Sequence, residues 1–137
     1  MPDITLIDLS KYRLEKSGDM LLTAMRDADS KDFASANNRA YYCIFHAMRA
    51  VLALDGLDYK KHSAVISQFT ISYLKSGILP REYGKLITNA SLIRNRSDYE
   101  DFYICSIEDT KRLLDGAKDF LASVTAYLNK RYNEPES

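Results

Sequence analysis

Between Ser35 and Arg49 the chain carries Ser35, Arg39, Tyr42, His46 and Arg49 at intervals of three and four residues. In a helix, at about 100° per residue, all five lie along one edge. Two guanidiniums with a phenol and an imidazole between them can hold a phosphate, because the arginine fork donates two parallel hydrogen bonds. The same groups can instead bond to acids on neighbouring helices and hold the packing in register. His46, flanked on the helical wheel by Cys43 and Ala50, also suits a core boundary. A second constellation begins at Tyr83. The apolar face Tyr83, Leu86, Ile87, Ala90 and Ile93 runs in register into Arg94, Ser97, Asp98 and Asp101. Buried charge is costly unless paired, so Arg94 and Asp98, one turn apart, should pair with each other or with another helix; the alternative is that the helix end simply emerges into solvent there. His62 follows Lys60 and Lys61 and shares a side with Ile66, Phe69 and Tyr73. It either joins a basic mouth or belongs to a capping region.

Other chemistry finds no foothold in the sequence. There is no ExxH, HExxH, GxxxxGK[ST] or GxSxG pattern, and two distant histidines make a weak metal case, so neither metal nor cofactor is expected. Cys43 and Cys105 stand alone and read as reduced, mostly buried thiols.

Helices must position these groups. Five glycines and three prolines in 137 residues are too few for a turn-rich β-sandwich or a disordered chain. Periodicity predicts a first helix over residues 6–28, with Leu14, Gly18, Leu21, Met25 and Ala28 recurring on one stripe. Residues 27–30 offer N-cap side chains for a second helix that runs to Leu54 or Asp55, with Gly56 as its C-cap. In that helix Phe33, Ala36, Ala40, Ile44, Ala47, Val51 and Leu54 form one core lane and Tyr41, Phe45, Met48 and Leu52 another, which places it at the bundle centre or in an interface. A third helix spans residues 62–75, and a fourth opens near Pro80 and reaches at least Arg96. A fifth starts at Ser106 with a capping-box pattern and carries Thr110, Leu113, Leu114, Ala117, Leu121, Val124 and Leu128. The expected architecture is all-α: an antiparallel up-and-down bundle of about five helices, with the first, second and fifth defining the barrel. It forms one domain over residues 1–132, followed by a polar tail over 133–137.

Zero net charge conceals an asymmetry. Residues 37–96 hold 9 basic and 3 acidic side chains, against 5 and 7 before them and 5 and 9 after. The basic middle can meet an anion or face its own acidic flanks. The N-terminal residues lack the pattern of a signal peptide and no apolar run approaches the roughly 20 residues of a membrane span, so a cytoplasmic chain without membrane contact is expected.

The block from Arg39 to Ala47 (RAYYCIFHA), KKHSAVI at Lys60 to Ile66, and RNRSDY at Arg94 to Tyr99 resemble a HEPN domain (higher eukaryotes and prokaryotes nucleotide-binding) of the small stand-alone prokaryotic type. The resemblance runs from about Leu14 to Leu128. It implies a helical up-and-down bundle, a homodimer, and a place beside a minimal nucleotidyltransferase in a pair resembling toxin and antitoxin. Ribonuclease members carry an arginine, a polar residue, and a histidine four to six residues after the arginine. Arg94-Asn95 matches the opening, but Tyr99, Glu100 and Asp101 occupy the histidine positions. Tyrosine, with an ordinary pKa of about 10, is a poor base beside histidine at about 6.5.

Three functions follow. The first is a nucleotide-, RNA- or partner-binding module using Arg39, Tyr42, His46, Arg94, Asn95, Asp98 and Tyr99. The second is a metal-independent ribonuclease with His46 or His62 as relocated base and Arg94 as phosphate electrophile. The third is a structural helical interaction protein. The resemblance also makes Tyr99 and Tyr103 candidate acceptors of nucleotide transfer by a partner.

Overall fold

The computed structural model describes residues 4–100 and 106–134, which form an all-α bundle without strands. Helix α1 (Ile4–Asp29) ends in a paired-bond cap: the Asp32 amide donates to Asp27 O at 2.8 Å and the Lys31 amide to Ala28 O at 3.0 Å. Lys31 occupies the left-handed position of this turn, with φ 65°, where glycine is usual. Residues 27–30 therefore finish α1 rather than cap the next helix, as the sequence had implied. Asp32 is the N-cap of α2 (Phe33–Leu54), its carboxylate accepting the Ser35 amide at 3.2 Å. At the other end Gly56, with φ 75°, closes α2 as expected.

Helix α3 (His62–Phe69) continues as a π-helical turn over Thr70–Leu74. Helix α4 (Tyr83–Tyr99) starts three residues after Pro80, not at it. The carbonyls of Pro80 and Arg81 accept the amides of Tyr83 and Gly84 at 3.3 and 3.0 Å, forming a turn that leads into the helix. Helix α5 (Ile107–Tyr132) is capped by Ser106, whose hydroxyl accepts the Asp109 amide at 3.0 Å.

Helix α2 is central, packed against α1, α3, α4 and α5. Both of its core lanes are buried, apart from half-buried Phe33 at the start. Against it α1 uses a different face from the predicted stripe. Met25 is 43% exposed and Leu14 and Leu21 are half-buried, whereas Ser10, Ser17 and Ala24 are fully buried. Small side chains on both helices let the backbones approach. Ser10 Oγ donates to Ala50 O at 2.7 Å and Ser17 Oγ to Cys43 O at 2.6 Å. Two pairs, each seven residues apart and running in opposite directions, set the antiparallel register. Burial pushes the Cys43 thiol up to about 11, so it stays protonated; Cys105 lies outside the described residues.

Helix α4 completes the bundle beside the three longer helices. It runs antiparallel to α5, with Tyr83 Oη donating to Asp119 at 2.9 Å and Leu86 filling the space that a Cβ on Gly116 would take. Asp55 ties the far end together, accepting from Arg131 Nη2 at 2.8 Å and from Tyr73 Oη. No described helix is long and apolar enough to cross a membrane.

Candidate functional site

The antiparallel crossing of α2 and α4 brings the two sequence constellations together. Asn38 Nδ2 donates to Asp98 at 3.1 Å and, one turn further along both helices, Arg94 Nη2 makes a long 3.5 Å contact to Tyr42 Oη. Arg94 Nε lies 3.3 Å from Asp98 Oδ2, so the expected pair forms. The N–H is out of line with the carboxylate, and the attraction is that of charges rather than a directed hydrogen bond. The guanidinium carbon stands 5.1 Å from the centre of the Tyr41 ring and 5.6 Å from that of Tyr42. Such contacts contribute about 0.5–1 kcal/mol each where partly exposed. They hold Arg94 beside two aromatic rings that meet edge to face.

Helix α3 adds His62. Its Nδ1 lies 2.9 Å from Tyr41 Oη, and its ring lies 4.1 Å from that of Phe45. His62 and Arg94 line one open groove of about 780 Å³ between α3 and α4, with Tyr41, Ser63, Ser91 and Asn95 among the other walls. Burial, then the positive charges of Arg94 and Arg49, hold the His62 pKa below the ordinary value. The ring is therefore neutral at pH 7. Burial pushes the Tyr41 phenol up to about 12, which keeps its proton in place. If the phenol donates to Nδ1, Nε2 carries the imidazole proton and can only give it. If Nδ1 donates to the phenol, Nε2 bears the lone pair and can accept one.

His46 belongs to the same aromatic group, 5.9 Å from Tyr42, but it does not line the groove. Its Nδ1 is buried without a hydrogen-bond partner. Burial, followed by Lys16, Arg49, Arg13 and His62, drives its pKa down to about 4. Two other candidates stay apart. Arg39 is exposed and donates to Asn38 Oδ1 at 2.9 Å, and Tyr99 is 73% exposed at the end of α4. Tyr103 and Asp101 lie outside the described residues. Among the described residues no His, Cys, Asp and Glu side chains gather in a metal-binding group.

Sequence reasoning missed Tyr41, assigned to a core lane. It is 1% exposed, yet its hydroxyl reaches the site. The signal was available: a buried tyrosine needs a partner for its hydroxyl, and the lane beside it was polar. Asn37 and Asn38, which reach Ser97 and Asp98, were also missed.

The fold and site define an all-α bundle with a cationic, aromatic-floored groove between its third and fourth helices. The HEPN domain model matches residues 10–131, and the chain belongs to the HEPN family. It is similar to a protein of Methanocaldococcus jannaschii named "putative toxin", 37% identical over 71 residues, 52% of this chain and 53% of that one. A "UPF0332 protein" of Pyrococcus horikoshii is 45% identical over 53 residues, 39% of this chain and 37% of the relative. A "UPF0332 protein" of Thermotoga maritima is 32% identical over 90 residues, 66% of this chain and 68% of the relative. The matches thus span about half and about a third of the first two relatives' lengths.

Proposed function

We propose that this chain is the nucleotide- or RNA-binding HEPN module of a toxin–antitoxin-like pair, working as a homodimer beside a minimal nucleotidyltransferase. The observation that carries the reading is the Arg94 guanidinium, held over the Tyr41 and Tyr42 rings and opening onto the groove that His62 and Asn95 also line. An arginine backed by aromatic rings suits a phosphate with a base stacked nearby. The name of the Methanocaldococcus relative supports the toxin-like setting. Leu22, Met25 and Ile107, exposed apolar side chains on α1 and α5, support a self-association face.

The test is binding of a labelled nucleotide and a labelled RNA to the wild type and to Arg94→Ala. Helicity and the urea midpoint are followed in parallel. Loss of a charged hydrogen-bonding partner should weaken binding about tenfold or more. The structural cost should be modest, about 1–2 kcal/mol, from two cation–π contacts and one partly exposed ion pair. Unchanged binding by a folded Arg94→Ala variant refutes the assignment.

One observation favours a second reading, that of a metal-independent ribonuclease. The family position for histidine is filled by other residues, but the neutral His62 ring stands in the Arg94 groove. As the relocated base it would give a rate that falls only below the ordinary histidine range, because its pKa is held down. Cleavage that keeps this acid limb in His62→Gln eliminates His62 from that role.

A further inference from the structure

The polar edge of α2 continues one turn beyond His46 to Arg49, and there the balance of charge changes. Arg49 Nη2 donates to Asp58 Oδ1 at 2.8 Å. Arg13 Nη2 reaches the same oxygen at 3.4 Å, and its Nη1 approaches the Arg49 carbonyl at 3.4 Å. Lys16, on the same helix as Arg13, adds its charge to the field on His46. Two guanidiniums therefore share one carboxylate, and His46 beside them stays neutral. Arg13 is only 9% exposed, and a buried guanidinium short of negative charge is an unfavourable arrangement unless something else completes it. Its lowered pKa, from burial and then the proximity of Arg49, expresses the same shortage. Arg49 Nε is also buried without a hydrogen-bond partner.

Asp58 shows what the seat accepts. Its side chain is 60% exposed, against 10% for Arg13 and 27% for Arg49, so the carboxylate lies on the solvent side of the two guanidiniums. It belongs to the connection between α2 and α3, outside any helix. A phosphate offers more charge and more acceptor oxygens than a carboxylate and can replace it there. The spacing to Arg94 fits the same ligand. Arg94 touches Tyr42, and Arg49 lies seven residues further, about 10 Å along the helix. This exceeds the axial rise of a single nucleotide, about 3.4 Å, so a mononucleotide does not reach both arginines whereas a short strand does. The half-buried rings of Tyr42 and His46 occupy the interval.

We propose that Arg49 and Arg13 form a second phosphate seat, occupied by Asp58 in the free protein, so that the ligand is a short single strand, longer than one nucleotide, spanning Arg94 and Arg49. This deepens the nucleic-acid reading of the Arg94 groove and rests on it.

The experiment measures binding of AMP and of an uncleavable 2′-O-methyl hexanucleotide by anisotropy or competition, at several salt concentrations. The proteins are wild type, Arg49→Gln and Asp58→Asn, with Arg94→Ala as the control. The wild type should bind the hexanucleotide at least tenfold more tightly than AMP. Arg49→Gln should remove about tenfold of hexanucleotide affinity, leave AMP binding unchanged, and reduce the salt slope by about 0.7, one phosphate's share for a single strand. Asp58→Asn, which removes the competing anion, should tighten hexanucleotide binding, an effect that loss of folding cannot imitate. Hexanucleotide binding indifferent to both Arg49→Gln and Asp58→Asn, or weakened by Asp58→Asn, overturns the second seat, while AMP binding that is lost in Arg94→Ala upholds the Arg94 site. Equal, Arg49-dependent binding of a hexaglutamate peptide overturns it in favour of protein docking. A wild type that binds neither nucleotide probe overturns the seat together with the reading beneath it.

Discussion

Acidification from pH 7 to 4.5 should destabilise the wild type more than a His46→Gln variant. His46 is half-buried, its Nδ1 has no hydrogen-bond partner, and Lys16, Arg49, Arg13 and His62 stand around it. In the folded chain its pKa falls from 6.5 to about 4, chiefly through burial. A histidine with a depressed folded pKa takes up a proton first in the unfolded state. Below pH 6.5 the unfolded chain therefore binds more protons, and stability falls with pH until the folded ring also protonates near pH 4. At face value the displacement corresponds to about 3 kcal/mol. Water reaches part of the ring and screens the surrounding charges, so we expect about 1–2 kcal/mol. Urea unfolding followed by far-UV circular dichroism, in half-unit pH steps, yields the curve for each protein. Other groups titrate equally in both, and the difference between the curves isolates His46. Parallel curves across pH 6.5 to 4.5 would refute the reasoning, because they would mean that the folded ring accepts a proton as readily as the unfolded one. The same displacement bears on catalysis: a ring with so low a pKa is a weak base at neutral pH, which leaves His62 as the better relocated base.

Two further substitutions probe the framework that holds the site. Ser17→Leu should cost about 1–3 kcal/mol, because Ser17 is fully buried where α1 and α2 approach, whereas Ser17→Ala should cost less than ~1 kcal/mol; chemical denaturation separates the two. Asp55→Ala should cost about 2–3 kcal/mol by leaving Arg131 and the buried Tyr73 hydroxyl without their carboxylate. In the wild type, burial would raise the Asp55 pKa, but the hydrogen bonds from Arg131 and Tyr73 prevail and lower it. Its stabilisation should therefore be complete above the ordinary carboxylate range and lost as pH falls through the lower folded value, a loss absent from the variant's urea midpoints.

Much of the bundle was legible because local chemistry determines it. The lanes of α2, the stop at Gly56 and the Ser106 cap each follow from residues within one or two turns, where periodicity and capping act. The Arg94–Asp98 pair was legible for the same reason, being one turn apart on a single helix. Reading failed where two helices had to meet. Serine on α1 looks like solvent-facing polarity until Ala50 and Cys43 present carbonyls to Ser10 and Ser17 at close range. The Asp27 to Ser30 side chains look like N-caps until the α1 carbonyls claim the following amides.

The sequence by itself determined the helices, their order, the polar edge of α2 and the charged continuation of α4, along with the missing histidine after Arg94. Only the tertiary structure decided that Arg94 lies across Tyr41 and Tyr42, that His62 shares its groove while His46 does not, and that Arg13 meets Arg49 around Asp58. The physical reason is one of range. Helix propensity, periodicity and caps act over a few residues, whereas these contacts join positions 9 to 53 residues apart, whose proximity depends on how whole helix faces pack.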